Sequence, residues 1–124
     1  MDLQEFEKLV KGRRSIRQWK KKEVPDELLK KAVELATWAP NGGNYQGWRF
    51  IIVKDRKVID RMADTVQYVV DKIASWPEAA PWQEDIKKYQ KNASFFKNTP
   101  VCIGVFMSGY QSVLDKVLLA RESS

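Results

Sequence analysis

Only two segments of this chain read as strands, Trp48 to Val53 and Val101 to Met107, and helical patterning fills most of the sequence around them. The second is a continuous apolar run, VCIGVFM, the pattern of a strand buried on both faces. Two strands alone make a poor sheet. The order of elements therefore predicts a mixed α/β arrangement of α+β class, a sheet flanked by helices and apparently incomplete at the C-terminus. Either further strands come from a partner, or these 124 residues form the N-terminal part of a longer single domain.

The helices are set by apolar spacing. Leu3, Phe6, Leu9 and Val10 recur at helical intervals, with Gly12 placed for a left-handed cap. Arg13 to Glu23 carries no stripe and is dominated by cations, so an extended surface connection is expected there. Pro25 suits the first turn of a second helix, with Asp26 and Glu27 against its N-terminal dipole and an end before Pro40. Asn41, Gly42, Gly43 and Asn44 form a dense turn signal before the first strand. A long amphipathic helix is expected over 57–73. A proline-interrupted stretch follows from Trp76 to Trp82, then a polar helix with Ile86, Tyr89 and Phe96, and a final helix over 111–121.

Composition removes several functions. There is no histidine and only one cysteine, Cys102, so Ser/His and Cys/His nucleophile pairs, an internal disulfide and multi-cysteine metal sites are excluded. No apolar run approaches the roughly 18 residues of a membrane span, and MDLQEFEKLV does not read as a targeting signal. A cytoplasmic location and no membrane partner are the expectations. The net charge of +6 is compatible with nucleic acid, a phosphate-bearing cofactor or a plain soluble surface. Cys102, inside the apolar run, is expected to be an inert thiol.

Two segments carry candidate chemistry. In an extended Gly12-Arg13-Arg14-Ser15-Ile16-Arg17 segment, alternate side chains share a face, so Arg13, Ser15 and Arg17 point together. Two guanidinium groups around a hydroxyl match an oxyanion, although a solvated basic connector has the same composition. In Ala39-Pro40-Asn41-Gly42-Gly43-Asn44-Tyr45-Gln46-Gly47-Trp48, glycines allow close backbone approach, and the Asn44 and Gln46 amides both donate and accept. A flat heteroaromatic ring edged with donors and acceptors suits that loop; a helix-to-strand turn without a ligand is the plainer alternative.

Together the two segments resemble the nitroreductase family of flavin enzymes, which carries R-[RH]-S-x-[RK] after a short helix and [SA]-P-S-x-x-N-x-Q-P-W before a strand. Here these stand as Arg13-Arg14-Ser15-Ile16-Arg17 and as Ala39 to Trp48, with Asn41 where Ser is frequent and Gly47 where Pro is usual. The resemblance implies a homodimer with FMN at its interface, taking hydride from NADH or NADPH and passing it to an electron-poor small molecule such as a nitroaromatic or quinone. It implies phosphate contacts from Arg13 and Ser15, a secondary one from Arg14, and Arg17 beside the pyrimidine edge of the ring. It places Pro40, Asn41 and Gly42 against the flavin from the other subunit, with Asn44 and Gln46 on the same loop, and requires no nucleophilic residue and no metal.

Family members continue beyond the equivalent of this chain's last residue, so the 124 residues by themselves are not expected to hold FMN tightly or to turn over NAD(P)H. The competing expectation is a non-catalytic binding module or an incomplete flavoprotein. A nucleic-acid binder built on Arg13, Arg14, Arg17 and Lys20 to Lys22 is disfavoured, because cations elsewhere are interleaved with Asp and Glu. Trp76, Trp82 and Tyr89 are candidates for an aromatic lid over substrate or for a local cluster anchoring the proline-rich loop.

Overall fold

Strand β1 (Trp48–Val53) and strand β2 (Cys102–Met107) pair antiparallel in a computed structural model that describes residues 1–123. Trp48 lies opposite Met107 and Val53 opposite Cys102, and the sheet among the described residues has these two strands only. The mixed α+β class expected from the element order is therefore the one observed. The expectation of a strand buried on both faces is corrected. Val105, Phe106 and Met107 are 61%, 55% and 61% exposed, because β2 has one neighbouring strand and its apolar side chains outnumber the groups that cover them.

The helices start where local chemistry dictates. Helix α1 (Leu3–Gly12) opens with a capping box in which Asp2 accepts from the Glu5 N–H at 2.8 Å and Glu5 accepts from the Asp2 N–H at 2.9 Å. Gly12 is its last helical residue and Arg13 follows in extended conformation (φ −60°, ψ 135°), so the expected left-handed glycine cap does not form. Helix α2 (Asp26–Ala36) begins directly after Pro25, which fixes the entry torsion, and its first-turn carboxylates complement the dipole. Helix α3 (Arg56–Ala74) is the long amphipathic element; the prolines then build a 3₁₀ turn over Pro77–Trp82. Helix α4 (Gln83–Asn92) is shorter than its pattern predicts, and Phe96 falls into a following 3₁₀ turn, Phe95–Asn98. Helix α5 (Val113–Glu122) opens with a second capping box, Ser112 with Asp115.

The chain divides into two compact units. One comprises Met1–Lys21 and Met62–Thr99, the other Lys22–Arg61 and Pro100–Ser124. In the first, Ala63 and Ala79 are buried, the Trp19 indole N–H donates to the Phe95 carbonyl at 3.1 Å, and Gln67 donates to the Gln90 carbonyl at 3.0 Å. In the second, Leu29 and Ile59 are buried, and Lys54 at the end of β1 donates to the Asp26 carboxylate. That hydrogen bond lowers the Asp26 pKa and raises that of Lys54.

Burial is sparse. Leu3, Phe6, Leu9 and Val10 on α1 and Val113, Leu114, Val117 and Leu118 on α5 are all exposed. Among the described residues, no helix is long and apolar enough to cross a membrane.

Candidate functional site

The basic segment begins where α1 ends. Leaving the helix extended, the chain turns the Arg13 and Ser15 side chains to the same side, with Arg13 Nη1 donating to Ser15 Oγ at 3.4 Å. Both are exposed, and Arg13 also lines a cavity of about 740 Å³ with Glu5, Lys8 and Leu9 of α1. Arg14 points elsewhere: its Nη1 donates to the carbonyls of Lys11 at 2.8 Å and Arg13 at 3.0 Å. It thus satisfies carbonyls that the helix terminus leaves without partners and places a cation at the negative end of the dipole.

Arg17 sits apart from the Arg13–Ser15 pair. Its guanidinium carbon lies 5.6 Å from the centroid of the Phe95 ring, within the range of a cation–π contact. The Phe95 ring meets Phe96 edge-on at 5.8 Å. Arg17 lines a groove of about 900 Å³ together with Val66, Val70, Trp82, Ile86, Tyr89 and Phe95, and with Asp85 and Lys88 at its polar margin. Of the three aromatic lid candidates, Trp82 and Tyr89 line this groove and Trp76 does not.

The glycine-rich loop belongs to the other unit. Pro40, Asn41, Asn44 and Gln46 line a cavity of about 620 Å³ with Thr37, Trp38, Ala39 and Trp48; Gly42 is not in its wall. The loop runs through Gly43 at φ +62°, Asn44 at φ +51° and Gln46 at φ +52°. Asn tolerates the left-handed region, whereas Gln adopts it at a cost that local hydrogen bonds must offset. Those bonds are present: Gln46 N–H donates to Asn41 Oδ1 at 2.9 Å, and its side-chain amide donates to Asn44 Oδ1 at 2.7 Å. The Asn41 side chain is thus tied to the Gln46 backbone, and the Gln46 and Asn44 side chains to each other, beside the cavity.

The opposite side of the same loop is held by the segment after β2. Tyr45 Oη lies 2.9 Å from Ser108 Oγ and donates to the Gly109 carbonyl at 3.1 Å, and its ring centroid is 4.9 Å from that of Tyr110. Ser108 N–H donates to the Gly47 carbonyl at 3.0 Å, extending the β1–β2 ladder by a step. Trp38, Phe95, Tyr45 and Tyr110 were not legible as site residues. Trp38 could have been found as an aromatic directly before Ala39-Pro40, but the others enter through contacts distant in sequence.

Cys102 is half-buried at the start of β2; burial raises its thiol pKa and the charge of Arg56 only partly offsets this. Among the described residues, no group of His, Cys, Asp and Glu side chains could hold a metal ion.

The sequence model of the Nitroreductase family matches residues 10–118, a span that takes in both motif segments and both strands. The chain belongs to the nitroreductase family. It is 35% identical over 66 residues to a putative NADH dehydrogenase/NAD(P)H nitroreductase of Archaeoglobus fulgidus, covering 53% of this chain and 38% of that protein. Among solved structures it is similar to a BluB-like flavoprotein from Clostridium difficile 630, with TM-score 0.74 and 27% identity over 99% of this chain and 58% of the other. It is also similar to an iodotyrosine deiodinase bound to FMN and 3-iodo-L-tyrosine, with TM-score 0.63 and 27% identity over 94% of this chain and 64% of the other. The nitroreductase-family chain therefore spans less than two thirds of each of these relatives.

Proposed function

We propose that this chain supplies the FMN-binding segments of a flavin oxidoreductase that passes reducing equivalents from NADH or NADPH to an electron-poor aromatic acceptor. The observation that carries this is the presence, inside one family match, of an extended Arg13–Ser15 pair and an amide-lined cavity formed by Asn41, Asn44 and Gln46. The donor chemistry fits the cofactor. Arg13 and Ser15 are exposed and offer a charged fork and a neutral hydroxyl to a phosphate. The amides beside Pro40 and Asn41 can donate to and accept from the polar edge of a planar ring.

Bound FMN supplies the hydride chemistry. The chain's own residues bind, orient and tune. Arg13 and Ser15 would anchor the phosphate, and the loop carrying Gly42 would meet the flavin from the other subunit. Arg14, engaged with helix carbonyls, contributes a secondary charge at most. Arg17 places a cation beside the ring, where it stabilises negative charge gained on reduction. The groove of Trp82, Tyr89 and Phe95 accepts the aromatic substrate by stacking, with Arg17 at one wall.

A homodimer fits the exposed apolar faces of α1 and α5, which a second copy would cover. The location that goes with such an enzyme is the cytoplasm.

The FMN-bound relative also holds 3-iodo-L-tyrosine, so a halogenated aromatic stands beside a nitroaromatic as acceptor class. The test is an anaerobic assay of the complete protein carrying this sequence, loaded with FMN. It is reduced by NADH, NADPH or dithionite and then offered a nitroaromatic, a quinone or an iodotyrosine. Reoxidation by at least one acceptor supports the reading. A protein that binds flavin but is reoxidised by none of them contradicts it.

A further inference from the structure

The loop from Asn41 to Gly47 has two faces. Asn41, Asn44 and Gln46 look into the cavity, while Gly43, Tyr45 and Gly47 meet Ser108, Gly109 and Tyr110 on the other side. Gly47 leaves room for a tyrosine, and Gly43 meets the requirement of a positive φ, +62°, beside another. A Cβ on Gly47 would lie 2.7 Å from Tyr45 Cδ1 and 2.6 Å from Ser108 Oγ, and a Cβ on Gly43 would lie 2.6 Å from Tyr110 Oη. Gly47 replaces the proline usual at this position, and the structure supplies a reason: any side chain there would push Tyr45 off Ser108.

We propose that Tyr45 and Tyr110 are positioning residues that clamp this loop, with Gly47 as the gap that admits the clamp, so that Asn41, Asn44 and Gln46 are set for the flavin before it arrives. The inference rests on the reading of the cavity as a flavin site. The clamp is needed because the loop stores torsional strain: two non-glycine residues, Asn44 and Gln46, sit at positive φ. Such a conformation persists only when its surroundings determine it. The tilted ring pair at 4.9 Å and the two Tyr45 hydroxyl contacts provide that determination from a segment anchored to the sheet by Ser108. Holding the amides in place beforehand removes ordering costs from binding.

The test has a flavin-free arm and a flavin arm. In the absence of flavin, amide hydrogen exchange is followed by NMR at Gln46, whose N–H is held by Asn41, and at the fully buried Ile59 in α3, whose N–H is held by the Asp55 carbonyl, as a reference for global opening. Gly47→Ala and Tyr45→Ala are expected to speed exchange at Gln46 by about tenfold, the scale of one lost hydrogen bond, and to leave Ile59 unchanged. Tyr45→Phe keeps the ring and loses the two hydroxyl contacts, so its exchange at Gln46 is expected to fall between wild type and Tyr45→Ala, an order that follows the contacts removed. In the flavin arm, FMN titration of the complete protein carrying this sequence is expected to show weaker binding by a similar factor for Gly47→Ala, with Tyr45→Phe between it and wild type. Should Tyr45→Ala fail to fold, Gly47→Ala and Tyr110→Leu carry the same comparison.

Unchanged exchange at Gln46, or a parallel rise at Ile59, overturns the clamp regardless of flavin. Faster exchange at Gln46 with unaltered FMN affinity leaves the mechanical clamp standing but overturns its role in the site. If Asn44→Ala also leaves affinity unaltered, the flavin reading of this cavity fails with it.

Discussion

Replacing Arg13 by alanine separates a phosphate contact from a generally basic surface. Arg13 is exposed at the end of α1 and its recorded partner is Ser15 Oγ at a long 3.4 Å, so engaging an oxyanion sacrifices little. A charge-assisted hydrogen bond contributes about 1.5–3 kcal/mol, and solvent access favours the lower end of that range. Loss of roughly 1.5 kcal/mol weakens FMN binding by about tenfold. The assay is quenching of flavin fluorescence at fixed ionic strength, with riboflavin titrated in parallel because it has the ring without the phosphate. Arg13→Ala is expected to weaken FMN by about that factor and riboflavin hardly at all. Arg14→Ala provides the contrast: its guanidinium is committed to the Lys11 and Arg13 carbonyls, so α1 should fray while FMN affinity changes less. Unaltered FMN affinity in Arg13→Ala, or an equal loss for riboflavin, would refute the phosphate assignment.

Arg17→Ala in the flavin-loaded protein is expected to lower the flavin midpoint potential by about 30 mV, roughly 1.4 kcal/mol for two electrons, since the cation favours the reduced ring; spectroelectrochemical titration showing an unchanged or higher potential would place Arg17 away from the flavin. Cys102 should react with iodoacetamide several-fold more slowly than glutathione at neutral pH, because burial holds its thiol pKa up and leaves less thiolate, and urea should abolish the difference. A rate equal to glutathione in the folded protein would contradict that. Ile59, fully buried on α3, should lose about 2–5 kcal/mol of stability on change to alanine by urea unfolding, against under 1 kcal/mol for Leu28→Ala on the exposed side of α2. A loss at Ile59 as small as that at Leu28 would show that it carries little of the core.

Elements governed by neighbouring residues were legible in the sequence. The bounds of β1, the start of α2 after Pro25 and the break at Pro77 follow from torsion limits and apolar period, which act over a few residues. The two candidate segments were legible too, because their residue types are unusual and closely spaced. Contacts between distant segments were not. Arg14 turning onto α1, Arg17 over Phe95 and Tyr45 against Tyr110 depend on how chains meet, and no periodicity encodes that. The burial of β2 was misread for a related reason: an apolar run reports what a strand needs, whereas cover depends on how many neighbours it finds. Gly47 shows the intermediate case, visible in sequence as a departure from proline and explicable only once Tyr45 and Ser108 are seen around it.

The central claim, that these segments hold a phosphate-bearing flavin, is tested most directly by equilibrium titration of the complete protein carrying this sequence with FMN and riboflavin while flavin fluorescence is followed. Saturable quenching that is tighter for FMN than for riboflavin, and that inorganic phosphate competes away, is the predicted result. No saturation with either flavin, or equal affinity for both, would contradict the account.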